Sequence, residues 1–224
     1  MKKSNRLLMI LAVVFLSGIL VSDHLLALEY AKIDLSDPYK NFTLIPVQSF
    51  KALKISGGNG YAIRIIKDDR YTIRLMNSRK DFFSMKMIRD TLSISFTVAN
   101  QNYQQAQQST FGLIISLPAI KYLEFSGTNN EVGPLLQDSL TVHQNINSVT
   151  RLKELQLNYL SLEGTATSSF DFQLKNTAKR LDINIANKAV VDFHQCSFNT
   201  FNPELKDSAA IIFYRWSLEN LLNK

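Results

Sequence analysis

Residues 119–132 read AIKYLEFSGTNNEV, and the hexapeptide IKYLEF within them has counterparts in FKALKI at 50–55, LKELQL at 152–157 and AKRLDI at 178–183. Each copy runs apolar residue, Lys, any residue, Leu, any residue, large apolar residue. Alternate side chains of a strand point to opposite faces, so Lys and Leu of one copy would share a face. That conflict disappears when the strand begins at the Leu and the Lys lies in the turn leading into it. Leu123 and Phe125, Leu155 and Leu157, and Leu181, Ile183 and Ile185 then face inward, with Glu124, Gln156 and Asp182 outward. One such rung cannot bury its apolar face alone, so rungs must stack. The reading is an all-β chain folded as a β-solenoid.

The leucines at 53, 123, 155 and 181 are separated by 70, 32 and 26 residues. A leucine-rich repeat is the rival, since LKELQLNYL at 152–160 fits its pattern. Such repeats keep a steadier spacing and place a helical or turn segment between copies. Here the intervening stretches read as strands.

From Val47 onward the apolar period is two. YAIRIIK at 61–67 puts Tyr61, Ile63 and Ile65 on one face, and YTIRLM at 71–76 does so with Tyr71, Ile73 and Leu75. With Asp68-Asp69-Arg70 between them, the pair reads as a β-hairpin whose outward Arg64 and Arg74 lie directly across from each other. Two like charges so placed are a candidate anion-binding face, for sugar acids or lipopolysaccharide phosphates, against the plainer reading of two side chains splayed into solvent. Further strands are expected at 83–87, 91–98, 111–117, 120–125, 138–142, 152–157, 159–163, 169–174, 180–186, 188–193 and 209–214. A polar loop fills 99–110, and Ser217 caps a short terminal helix over 217–224, with Trp216 beneath it. With only eight glycines and five prolines, the turns must lean on Asn, Asp and Ser.

The N-terminus carries a basic head and an unbroken apolar-to-small run from Leu7 to Ser22. Leu7, Ile10, Val14, Phe15 and Ile19 are its membrane-facing residues. Extending the helix to Leu28 gives about 33 Å, enough for a hydrocarbon core of ~30 Å, with Asp23 and His24 in its outer quarter. Leu25 stands three places before the best cleavage position, after Ala27, which suits an uncleaved signal anchor better than a removed signal peptide. The expected organisation is an anchor over 1–28, a tether over 29–46 and one β-solenoid-like domain over 47–224. By the positive-inside rule the basic head stays cytoplasmic and everything after Tyr30 faces the far side. With the envelope that the resemblance given below implies, the expected location is an inner-membrane anchor and a periplasmic domain, with secretion after cleavage as the alternative.

Of the formal charge of +6, Lys2, Lys3 and Arg6 supply +3, leaving +3 for the rest of the chain. That is no basic stripe, and nucleic acid is not an expected partner. A single cysteine, Cys196, rules out an intramolecular disulfide framework. His194 and Cys196 in FHQCSF share one face of a strand and offer a metal or Cys–His pair, but zinc needs three or four ligands and His143 is remote in sequence. A packed cysteine beside a surface histidine fits better. Asp68 and Asp69 read as solvated turn acids rather than glycosidase carboxylates. No phosphate-binding glycine loop, nucleophile elbow or paired-cysteine motif occurs, so no catalytic residue, metal or cofactor is expected.

FKALKISGGNGYAIRIIKDDRYTIRL at 50–75, TLSIS at 91–95 and LIISLPAIKYLEFSGTNNEV at 113–132, behind an export signal, together resemble the GIN-domain family of candidate auto-transporter adhesin heads in Gram-negative envelopes. The resemblance spans about residues 48–215. It implies a right-handed, β-helix-like stack of strands and brings no catalytic residues. Rungs of that family end in Ser-Gly, kept here at Ser126-Gly127, whereas Asn158 and Ala186-Asn187 stand elsewhere, so the late rungs are expected to be irregular. The expected function is a membrane-anchored, non-enzymatic domain that binds protein or glycan. A carbohydrate-active enzyme on a solenoid and an envelope signalling accessory are the alternatives.

Overall fold

The computed structural model describes residues 3–31, 37–57, 62–97, 111–194 and 196–214. The chain divides into two compact units, residues 1–40 and 41–224. The first contains helix α1 (Lys3–Ala31), whose Leu7, Ile10, Val14, Phe15 and Ile19 are all exposed. The helix is long and apolar enough to cross a membrane, and an N-terminal signal sequence has the same character. It runs three residues past the expected anchor, through Glu29, Tyr30 and Ala31.

The second unit is built from strands β1 (Phe42–Pro46), β2 (Ala52–Ser56), β3 (Ala62–Lys67), β4 (Thr72–Met76), β5 (Phe83–Ile88), β6 (Thr91–Phe96), β7 (Phe111–Leu117), β8 (Tyr122–Ser126) and β9 (Asn129–Val132). They continue as β10 (Leu135–Asn145), β11 (Val149–Lys153), β12 (Leu155–Gly164), β13 (Ser169–Gln173), β14 (Asn176–Ile185), β15 (Val190–Phe193), β16 (Cys196–Leu205) and β17 (Ala210–Phe213). One sheet has the order β1-β4-β7-β3-β9-β11-β13-β15-β17, and the other β16-β14-β12-β10-β8-β2-β6-β5. From β8 onward the chain alternates between the sheets, adding one parallel strand to each. This is the expected β-solenoid. Phe42–Pro46, placed in the tether by the sequence, pairs antiparallel with β4 as an edge strand of this unit.

Two expectations are corrected. The first is the hairpin. Strands β3 and β4 do not pair, because β7 lies between them, parallel to β3 and antiparallel to β4. Both flanking strands present Ile residues inward, so a third apolar strand between them buries more than a two-stranded ribbon could. The second is the repeat. Leu53 and Leu123 are in register on adjacent strands although 70 residues apart, because β3 to β7 are inserted between two neighbouring rungs. The working period is shorter: Leu140, Leu160, Leu181 and Phe201 are aligned at steps of 20, 21 and 20 residues. The late rungs are therefore the regular ones. Leu155 belongs to a different column, opposite Leu135.

The interior is a set of aligned columns. In one sheet Ile45, Ile73, Ile115, Ile65, Val132, Leu152, Phe172, Phe193 and Phe213 follow one another across nine strands. In the other, Leu92, Leu53, Leu123, Val142, Leu162 and Ile183 do the same, and all six are buried. Full burial of such a side chain contributes about 1.5–3 kcal/mol. Since every rung lends its neighbour an apolar wall, stability is distributed along the stack.

The corners explain how a glycine-poor chain turns so often. Four rungs turn through paired residues at positive φ: Ile146-Asn147, Ala166-Thr167, Asn187-Lys188 and Asp207-Ser208. Left-handed backbone is disfavoured for such residues, yet the ladder continues through the turns. Asn147 N–H donates to Ala166 O (3.0 Å), Thr167 N–H to Asn187 O (3.0 Å) and Lys188 N–H to Asp207 O (3.1 Å). Asn, Asp and Ser supply some of these positions, as expected, while Ile, Ala, Thr and Lys share them. At another corner Asn176 is buried: its Nδ2 donates to Leu152 O, Gln173 O and Leu174 O, and its Oδ1 accepts from Leu155 N–H. A polar side chain this deep is tolerated because all these bonds are made.

The loop at 99–110, Tyr61, Trp216 and the terminal helix at 217–224 lie outside the described residues.

Candidate functional site

Outward side chains form columns as regular as the inward ones. Arg74, Ile114, Arg64, Glu131, Arg151, Asp171 and Asp192 follow one another across β4, β7, β3, β9, β11, β13 and β15. Arg64 and Arg74 are thus not opposite each other; both are opposite Ile114, two strand spacings or about 9.6 Å apart. Ile114 points outward yet is only 5% exposed, as expected where arginine stems cover apolar surface. The Arg64 guanidinium stacks 3.8 Å from the Phe111 ring centroid and its Nε lies 2.8 Å from Glu131 Oε1. Lys153 Nζ reaches the other oxygen of Glu131 at 2.6 Å, and Arg74 Nη1 lies 3.4 Å from Ser116 Oγ. Part of the positive charge of this face is therefore already met by Glu131.

Two of the concave surfaces on the second sheet stand out among the described residues. One, of about 630 Å³, is formed by β5, β6, β2 and β8, and includes Lys54, Lys86 and a group of serines. The other, of about 470 Å³, follows the line where the long strands bend and includes Asp138, Asn158, Lys179 and Asn199. Strand pairing skips each of those four residues while the register on either side is kept, and the inward alternation slips there, so that Leu157 and Leu160 are both buried.

A cluster that the sequence did not reveal lies at the far end of the first sheet. Asp171 and Asp192 are in register on adjacent strands, and His194 Nε2 lies 3.5 and 3.6 Å from their carboxylate oxygens. Tyr214 stacks on His194 at 4.2 Å. The only clue was the common offset of Asp171 and Asp192 from the turns before them, which requires the 20–21-residue period to be read. Burial chiefly raises the pKa of Asp192, opposed by His194 and reinforced by Asp171. A carboxyl whose folded pKa is raised favours folding while protonated. That contribution is fully present below the unfolded value of about 3.9 and is lost as pH rises through the folded value. Asp192→Asn is therefore expected to raise the melting temperature at neutral pH and to give no gain near pH 3, read by thermal melts across that range.

The histidine–cysteine pairing is not formed. Cys196 is buried in the core, whereas His194 faces the aspartates and His143 pairs with Glu163 at 3.0 Å on the other sheet. Burial pushes the Cys196 thiol up to about 12, so it stays protonated and shielded. Native protein is expected to react with a thiol reagent only at the rate of unfolding, and at once in denaturant, by absorbance titration. Asp68 and Asp69 serve their own turn, with Asp69 N–H donating to Asp68 Oδ1 at 2.7 Å. Among the described residues, no group of three or more His, Cys, Asp and Glu side chains is disposed to hold a metal ion.

No family model and no curated protein sequence matches the chain. Solved structures do. A candidate adhesin from Bacteroides fragilis superposes with a TM-score of 0.54 at 11% identity, covering 78% of this chain and 97% of that one. A candidate adhesin from Parabacteroides distasonis (TM-score 0.45, 16% identity, 76% and 92% covered) is also similar. So is a candidate lipid-binding protein from the same species (TM-score 0.41, 12% identity, 78% and 96% covered). The Bacteroides fragilis likeness is one of fold. The chain is thus a β-solenoid domain with an N-terminal apolar helix, and its fold is shared with a Bacteroidetes protein described as a candidate adhesin.

Proposed function

We propose that this protein is a non-enzymatic, membrane-anchored member of the GIN-type adhesin-like domains. Its helix would sit in the inner membrane and its solenoid in the periplasm, binding a protein or glycan of the envelope. The observation that carries this reading is the outer surface: ordered polar columns and open, shallow grooves on a rigid stack. Such a surface suits repeated contacts with an extended partner. The glycosidase alternative has one argument, the Asp171–Asp192 pair, since a retaining enzyme needs two carboxyl groups about 5–5.5 Å apart. Neither groove described above includes those residues, and His194 already engages both. Binding is the better reading.

The test is a screen of the full chain in lipid nanodiscs against arrayed envelope glycans and solubilised envelope proteins, with glycan hydrolysis followed in parallel. Saturable binding without turnover is expected, and turnover abolished by Asp171→Asn would overturn it. Arg64 and Arg74 are the expected contact for compact phosphates. Arg64→Gln with Arg74→Gln should leave the fold intact and reduce capture of lipopolysaccharide; unchanged capture removes this row from the site.

A further inference from the structure

The groove formed by β5, β6, β2 and β8 has a regular construction. Ser84, Ser95, Ser56 and Ser126 are in register on the four strands. Beside that column, two residues along each strand, runs a second: Lys86, Ser93, Lys54 and Glu124. All eight side chains point away from the core, whose inward positions are Leu53, Ile55, Leu92, Ile94, Leu123 and Phe125. Strands lie about 4.8 Å apart, so Lys86 and Lys54, with Ser93 between them, are about 9.6 Å apart across the sheet.

We propose that this groove binds a linear, β-linked polyuronate laid across the strands, its carboxylates on Lys86 and Lys54 and its ring hydroxyls on the serine column. The inference rests on the binding reading above and specifies its ligand class. In an extended β-1,4 chain, one pyranose residue spans close to one strand spacing. Successive residues are turned over, so the carboxylates on one side recur once per disaccharide, which matches the two-strand interval between the lysines. Each serine hydroxyl both donates and accepts, as a sugar hydroxyl does.

Lys54 Nζ lies 2.7 Å from Glu124 Oε2, which fixes the ammonium in place and leaves it further N–H donors. Tyr122 Oη lies 3.2 Å from the same Glu124 oxygen, steadying that carboxylate. The column then continues through His143 and Glu163, so acidic side chains bound the site on that side. Among the described residues, no aromatic ring lines the groove for stacking. Recognition must therefore come from charge and hydroxyl contacts, which favours an acidic chain over a neutral one. Individual contacts of this kind are weak, and affinity is expected to grow with oligomer length.

The experiment uses the full chain in nanodiscs, with β-1,4-mannuronate oligomers of graded length as probe and uncharged β-1,4-mannan as control, read by calorimetry. Mannuronate should bind, mannan should not, and binding should weaken steeply in about 0.5 M salt. Lys54→Ser with Lys86→Ser should lower affinity about tenfold. Lys175→Ser with Lys188→Ser, at exposed positions outside the groove, should change it by less than about twofold. Equal melting temperatures would show that all variants remain folded. Absence of mannuronate binding, or binding that survives the replacement of Lys54 and Lys86 or falls equally with that of Lys175 and Lys188, would overturn the proposal. The screen described above judges the binding reading separately, because another ligand found there would leave it standing.

Discussion

Replacing Gly133 by alanine is expected to be among the most damaging single changes in the domain, destabilising it by roughly 4 kcal/mol or more. Gly133 has φ +122°, and a β-carbon there would lie 1.8 Å from Lys153 O and 2.9 Å from its carbonyl carbon. The obstacle is backbone of the next rung, itself tied into the ladder, so it cannot swing aside as a side-chain tip can. The space is closed because Gly133 N–H donates to Ile65 O (2.9 Å) on the other side. Gly127 is the control. It also has positive φ, +66°, but the nearest atom to a β-carbon there is Ile146 O at 4.0 Å. Gly127→Ala should therefore incur only the left-handed penalty of about 1–2 kcal/mol. Urea unfolding of the two variants separates the steric effect from the conformational one. Equal destabilisation would show that the close approach at Gly133 is relieved elsewhere.

Phe193→Ala is the second large expectation, with a loss of about 3–5 kcal/mol. Phe193 is fully buried, and its ring lies 4.7 Å from that of Phe172 and 5.0 Å from that of Phe213, with Phe198 and Phe201 at 5.7 and 6.0 Å. It joins three successive rungs and both sheets, so little nearby can move in to fill the cavity. In a stacked-repeat protein such damage need not be shared evenly, because each rung is held mainly by its neighbours. The variant is therefore expected to lose amide protection in β15, β16 and β17 before β2 and β3, measured by hydrogen exchange. Uniform loss across all rungs would mean that the stack unfolds as one unit.

Much of the fold was legible in short stretches. Strand β7 was read with its observed limits, 111–117, and β13, β15 and β17 within two residues at either end. A half-buried strand declares itself by alternation, a local property. The strands missed were β1, taken into the tether, β16, β9 and β11; the last two, with sequences NNEV and VTRLK, place buried Asn130 and Thr150 where apolar residues would be expected. Asn130 Nδ2 donates to Thr150 Oγ1 at 3.1 Å and to Val149 O at 3.2 Å. This polar pair inside the stack makes sense only once the rungs are aligned. The same holds for the candidate site. Arg64 and Arg74 could be picked out as outward cations, but the strand between them and the engagement of Arg64 by Glu131 could not. The serine and lysine columns draw on four strands whose order in space, β5-β6-β2-β8, differs from their order in the chain.

The amino-acid sequence by itself determined an apolar N-terminal helix, a chain of short alternating strands and the need to stack them, because each follows from contacts among residues close in the chain. Only the tertiary structure decided which strands are neighbours. A strand's apolar face can be buried by any other of suitable shape, and the choice depends on register, corner geometry and the 65-residue insertion between β2 and β8 (residues 57–121). Every outward column, and with it every candidate binding surface, is a product of that choice.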